Sequence, residues 1–239
     1  MARMRTFTFL LLALSGAQGF AANPPLTEET FRKSMGIAPA VHMGYRDLDC
    51  KTVNFTGFAD AMHKPGAHAD VDRAADGSAL TMTVRLKGYA SCPSPYPPVS
   101  EMPPFDLRDL TGKRVTAASL KGKPTLLSFF FSTCMPCILE VSPLNHFATQ
   151  RHDLNLLAVT FDEADVARQF VQRFDVKWRV VPGARDFIDR VRVKQYPTMA
   201  LFDANGKLLG MRNGGARDEL EAANVEVQLK RWVDGLLRK

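Results

Sequence analysis

The 239-residue chain balances 31 Lys and Arg against 25 Asp and Glu, for a net charge of +6 at 46% apolar residues, with four cysteines and five histidines. Its basic residues are scattered rather than clustered with aromatics, which argues against a nucleic-acid surface. A positive balance this modest says little else about partners.

Residues 1–21 read as a secretory signal peptide. Arg3 and Arg5 precede an apolar stretch from Phe7 to Leu14, and Gly19 and Ala21 stand at minus three and minus one of a cleavage point. The stretch falls well short of the ~20 residues a membrane span needs, and no cysteine follows it to take a lipid. Removal leaves about 218 residues, enough for one large or two modest cores. The expected location is periplasmic or secreted, an oxidising setting in which structural disulfides persist.

Residues 22–98 are expected to form a small, mainly β unit. Thr27-Glu-Glu-Thr30 can start a short helix, and Lys51 to Phe58 reads as a strand opened by Cys50. Leu80, Met82, Val84 and Leu86 alternate with Thr81, Thr83, Arg85 and Lys87 as in a half-exposed strand, and Asp76-Gly77 ahead of it signals a hairpin. Cys92 follows that strand and opens a proline-rich connector, Cys92-Pro-Ser-Pro-Tyr-Pro-Pro with Met102-Pro-Pro beyond, which places a boundary near residue 98. Cys50 and Cys92 are read as a structural disulfide, with a second redox pair as the alternative.

Residues 99–239 follow a different rhythm. Two short strands about Thr111-Gly112 lead to an unbroken apolar run, Thr125-Leu-Leu-Ser-Phe-Phe-Phe, which reads as a strand buried on both faces. It stops at Ser132-Thr133-Cys134-Met-Pro-Cys137, where a helix can begin. Strands at Leu154–Phe161 and Trp178–Val181 alternate with helices at Ala164–Phe174 and Asp186–Val193. Strands at Thr198–Phe202 and Lys207–Met211 meet at Asn205-Gly206, and a last helix carries Val225, Leu229, Trp232 and Leu236 on one stripe. The alternation predicts a layered α/β domain.

Cys134 as helix cap and Cys137 one turn in would share a face, within reach of a reversible disulfide, with the helix start favouring a thiolate on Cys134. Cys134 is then the attacking nucleophile at an exposed helix start, and Cys137 the resolving thiol. A structural disulfide or half of a zinc site is the plainer alternative, although zinc would call for a second close ligand pair. Glu140 falls one turn beyond Cys137, either as a carboxylate exchanging a proton with the resolving thiol or as a solvated helix acid.

Residues 101–239 resemble the thioredoxin superfamily, and within it the secreted thiol-disulfide oxidoreductases represented by TlpA and ResA. The resemblance rests on Cys134-Met-Pro-Cys137, Glu140, the Phe105-Asp-Leu to Gly112 lead-in, Tyr196-Pro197-Thr198 and Asp203-Ala-Asn-Gly206-Lys. Thr133 stands where the family usually has an aromatic residue, Ser128 where thioredoxins have an acid, and Pro143 one position later than the family's helix proline. The resemblance implies a thioredoxin-like fold, a central mixed sheet flanked by helices. It also implies a cis peptide before Pro197, facing the cysteines and exposing the backbone of Tyr196 to an extended substrate.

The function so implied is reduction of protein disulfides, without an organic cofactor and with electrons returned by a membrane donor. Two alternatives stand beside it. His63, His68, Met62 and Met35 offer copper-type ligands for a metallochaperone module. The lead-in strands also resemble a peroxiredoxin-like thiol peroxidase, but that family's Pro-x-x-x-Thr-x-x-Cys pattern is absent around Cys134.

Overall fold

The computed structural model describes residues 27–238, so the signal-peptide reading of residues 1–21 lies outside the described residues. The described residues divide into two units between Ala38 and Pro39. In the first, α1 (Glu28–Ser34) starts from a capping box in which the Thr27 hydroxyl accepts from the Thr30 amide at 3.2 Å.

The second unit contains two main sheets. A four-stranded sheet has the order β2-β1-β4-β3, from β1 (His42–Arg46), β2 (Thr52–Val53), β3 (His68–Arg73) and β4 (Ala79–Arg85), with α2 (Phe55–Met62) between β2 and β3. The Lys51–Phe58 strand is thereby corrected. Only Thr52 and Val53 pair, because Asn54 caps a helix by accepting from the Gly57 amide at 2.9 Å. Phe55, Phe58 and Met62 carry the i, i+3, i+7 spacing of that helix, and both phenylalanine rings pack on Tyr45, which β1 supplies.

β4 departs from its alternating pattern as well. It is central, paired with β1 and β3, and Thr81 and Thr83 are buried along with Leu80, Met82 and Val84. The proline-rich connector folds back, so that the Tyr96 and Thr81 hydroxyls bond at 2.9 Å.

Cys50 opens no strand. It sits in the turn between β1 and β2 in a left-handed conformation, φ 66°, and is bonded to Cys92 across a sequence separation of 42. Closing a loop of that length restricts the unfolded chain by about 4 kcal/mol in the chain-entropy model. Cys50→Ala/Cys92→Ala is therefore expected to lower the urea midpoint markedly. Graded reduction with mass mapping should label these cysteines only after Cys134 and Cys137; simultaneous labelling would count against a structural role.

Past the connector, β5 (Asp106–Arg108) and β6 (Arg114–Thr116) form a hairpin. The five-stranded sheet has the order β11-β10-β7-β8-β9, from β7 (Thr125–Phe130), β8 (Asn155–Thr160), β9 (Arg179–Val181), β10 (Thr198–Phe202) and β11 (Leu208–Asn213). β7 runs parallel to β8 and antiparallel to β10, and all six of its residues are buried.

Helices α3 (Met135–Leu139), α4 (Val141–Gln150), α5 (Ala164–Phe174), α6 (Arg185–Val191) and α7 (Glu219–Leu237) cover this sheet. Leu127 and Phe129 pack with Phe187, Ile188 and Val191 of α6, while Leu126 packs with Leu144, Phe147, Leu229 and Val233 of α4 and α7. This mixed sheet between helices is thioredoxin-like.

The connector lies inside the second unit. Contacts between the two sheets' halves include Lys194 Nζ donating to the Val71 carbonyl at 2.6 Å, Arg192 donating to the Tyr96 carbonyl at 2.9 Å, and Arg73 paired with Asp186 at 3.3 Å. Among the described residues, no helix is long and apolar enough to cross a membrane.

Candidate active site

β7 ends in the middle of the sheet, so the turn after it emerges at the carboxyl end of a central strand, where open α/β sheets place their sites. Asp162, just past β8, holds that turn by accepting from the Ser132 amide at 2.7 Å and the Thr160 hydroxyl at 3.0 Å. Cys134 is the N-cap of α3, with Pro136 in the first turn, where its missing amide hydrogen costs nothing. The Cys137 amide donates to Cys134 Sγ at 3.2 Å, and the two cysteines are joined with their Cα atoms 5.2 Å apart.

The sequence places Cys134 at an exposed helix start, and the structure differs. Cys134 and Cys137 are 4% and 5% exposed in the disulfide-bonded state, although Met135 between them is 63% exposed. The difference comes from packing that spacing does not reveal. Half-buried Phe131 and Tyr196 meet edge-on at 5.3 Å, Phe161 joins both at 5.7 Å, and Phe131 and Tyr196 pack against the cluster that holds both cysteines.

The Tyr196-Pro197 peptide is cis, and β10 starts directly after it. Pro197 has no amide hydrogen, and its carbonyl accepts from Gly214 at 2.8 Å. The same glycine abuts Glu140. A Cβ built on Gly214 would lie 2.6 and 2.9 Å from the two Glu140 carboxylate oxygens and 3.0 Å from Pro197 Cγ. Its backbone φ lies outside the left-handed region, so close approach rather than chain conformation demands glycine here. Sequence reasoning missed Gly214, which no pattern along the chain sets apart from the adjacent Gly215. Gly214→Ala is expected to cost about 1–3 kcal/mol through overpacking and to shift the pH profile of thiol reactivity. A variant unchanged in both would show that the contact is relaxed in solution.

Glu140 is no solvated helix acid. It joins α3 to α4 as C-cap of one and N-cap of the other, is 1% exposed, and accepts from the Gly215 amide at 2.7 Å through Oε1, while Oε2 has no partner among the described residues. Burial raises its pKa above the usual carboxylate value, against the opposing pull of the Gly215 and Ala216 amides and of Arg212. A cavity of about 20 Å³ lies between Ser128, Cys137, Glu140, Trp178 and Pro197, room for one water. Ser128, standing where thioredoxins have an acid, lines this cavity, and the carboxylate that reaches it comes from the helix instead.

His63 closes α2 and His68 opens β3, and among the described residues no three His, Cys, Asp or Glu side chains come together to hold a metal ion.

The family model described as Redoxin matches residues 98–229, more than half of the chain. The chain belongs to the Redoxin family. This redoxin is a TlpA/ResA-like member of the thioredoxin superfamily. It is 30% identical over 151 residues to the thiol-disulfide oxidoreductase ResA of Bacillus cereus, covering 62% of this chain and 83% of that protein. It is 26% identical over 119 residues to the thioredoxin-like protein YneN of Bacillus subtilis, covering 48% and 70%. Among solved structures, a thiol:disulfide interchange protein DsbE from Chlorobium tepidum superposes with a TM-score of 0.51 at 24% identity, over 59% of this chain and 98% of that one, a likeness of fold. The redoxin match leaves the β1–β4 sheet outside it.

Proposed function

We propose that this thiol-disulfide oxidoreductase works outside the cytoplasm as a reductase of protein disulfides through the Cys134-Met-Pro-Cys137 dithiol. The reading is carried by the Cys137 amide aimed at Cys134 Sγ from the start of α3, a donor that favours a thiolate there once the pair is reduced.

The reaction runs in two exchanges. Cys134 thiolate attacks one sulfur of the substrate disulfide, forming a mixed disulfide and releasing the other substrate sulfur as a thiolate. Cys137 then gives its proton to Glu140 across the cavity and attacks Cys134 Sγ, and the second substrate thiolate leaves. The substrate gains two electrons, and the Cys134–Cys137 disulfide holds the oxidising equivalent until a membrane electron donor reduces it. Tyr196, ahead of the cis-bonded Pro197, presents its backbone to an extended substrate segment beside Cys134, and the half-buried rings of Phe131, Phe161 and Tyr196 give that segment an apolar floor. The Cys50–Cys92 bond takes no part in this exchange and steadies the β1–β4 sheet.

The direct test is the reduction potential of the Cys134–Cys137 couple, with insulin disulfide reduction as the activity. A potential near the thioredoxin range, roughly −270 mV, with turnover of insulin fits a reductase. A potential near that of a strong oxidant, about −120 mV, without turnover would assign the opposite direction of electron flow.

A further inference from the structure

Glu140 borders two separate spaces. One is the cavity of about 20 Å³ beneath Cys137. The other is a groove of about 360 Å³ on the surface, formed by Arg212 to Ala216 at the end of β11 and by Glu221, Asn224, Val225 and Gln228 on α7. Of all the residues around these two spaces, Glu140 alone belongs to both. Its Oε1 is held by the groove's Gly215 amide with the Ala216 amide beside it, its Oε2 has no hydrogen-bond partner among the described residues, and the missing side chain of Gly214 lets the groove floor touch the carboxylate.

From this we infer that Glu140 exchanges its proton with solvent through the rear groove lined by Arg212, Asn224 and Gln228, and not past the cysteines. The inference rests on the proposed role of Glu140 toward Cys137 and adds the route. An extended substrate lying along Tyr196 covers the face that carries Cys134, so a proton taken from Cys137 during resolution needs another exit. After Cys137 S–H has passed its proton to the Glu140 carboxylate, the neutral acid releases it into groove water, and the carboxylate is ready for the next turnover. The charged groups lining the groove are Arg212, which favours the ionised carboxylate, and Glu221, which is held by Arg217 at 3.0 Å. Arg212 is thus a positioning residue for the discharged state.

Formate supplies the probe. Glu140→Ala removes the barrier between groove and cavity, and resolution of a mixed disulfide in single turnover should slow by at least about tenfold and be restored by formate to a similar extent. Filling the groove with Asn224→Phe and Gln228→Phe, both at exposed positions of α7, should abolish that rescue. With Glu140 intact, the filled groove should slow resolution several-fold, and this arm carries the test if Glu140→Ala does not fold. Rescue that survives filling, or no rescue with the groove open, overturns the route. Full activity of Glu140→Ala would instead overturn the role of Glu140 itself, and it shows before any groove variant is made.

Discussion

Cys134→Ser is expected to lower disulfide reduction by at least about a thousandfold, the scale of losing a nucleophile rather than an assisting group. Cys137→Ser should instead accumulate a stable mixed disulfide between Cys134 and the substrate. The asymmetry follows from position. Cys134 stands at the mouth between Thr133 and Met135, both exposed, with the first turn of α3 behind it. Cys137 lies one turn deeper, where it lines the cavity shared with Glu140. Intact mass after incubation with a peptide disulfide distinguishes the two variants. Most of the turnover retained in Cys134→Ser, or an adduct on Cys137 in that variant, would reverse the assignment of nucleophile and resolver.

Glu140→Gln is expected to slow resolution by about 10² while leaving the first attack by Cys134 nearly unchanged, because an amide accepts from Gly215 as the carboxylate does but takes no proton. The substitution also has a signature in stability. Burial raises the folded-state pKa of Glu140 above its ordinary value of 4.5, so between those two values the folded chain binds more protons than the unfolded one. Glu140's contribution is therefore fully present below 4.5 and is lost as pH rises through the raised folded value, after which it stays constant. Urea midpoints taken from about pH 4 to pH 8 should show this descending segment in the parent chain, and Glu140→Gln should make it shallower, leaving the share of Asp189, whose folded-state pKa burial also raises. Identical pH profiles for both resolution and stability would mean that Glu140 does not titrate with the pair.

Much of the thioredoxin-like half was legible because its signals are local. The apolar run of β7 is a strand buried on both faces, Asn205-Gly206 makes the β10–β11 turn, and the Val225-Leu229 stripe of α7 faces the core. The first sheet was less legible. Thr52 to Phe58 contains a two-residue strand and a helix start within seven positions, too few for either period to declare itself, and β1 pairs parallel with β4 from a distant stretch of sequence. The alternation in β4 correctly marked a strand but not its second cover, since Tyr96 arrives from the connector.

By itself the sequence determined the two cysteines at helical spacing after a buried strand, the proline at the head of β10 and the order of elements that brings them near, because each depends on residues within a turn or two of one another. Only the tertiary structure decided that Glu140 is buried, that Gly214 must lack a side chain, and that Cys134 is buried in a cluster with aromatic neighbours. Each of these depends on segments some 60 to 75 residues apart meeting within van der Waals contact, and no periodicity along the chain records the surface against which a side chain will finally be packed.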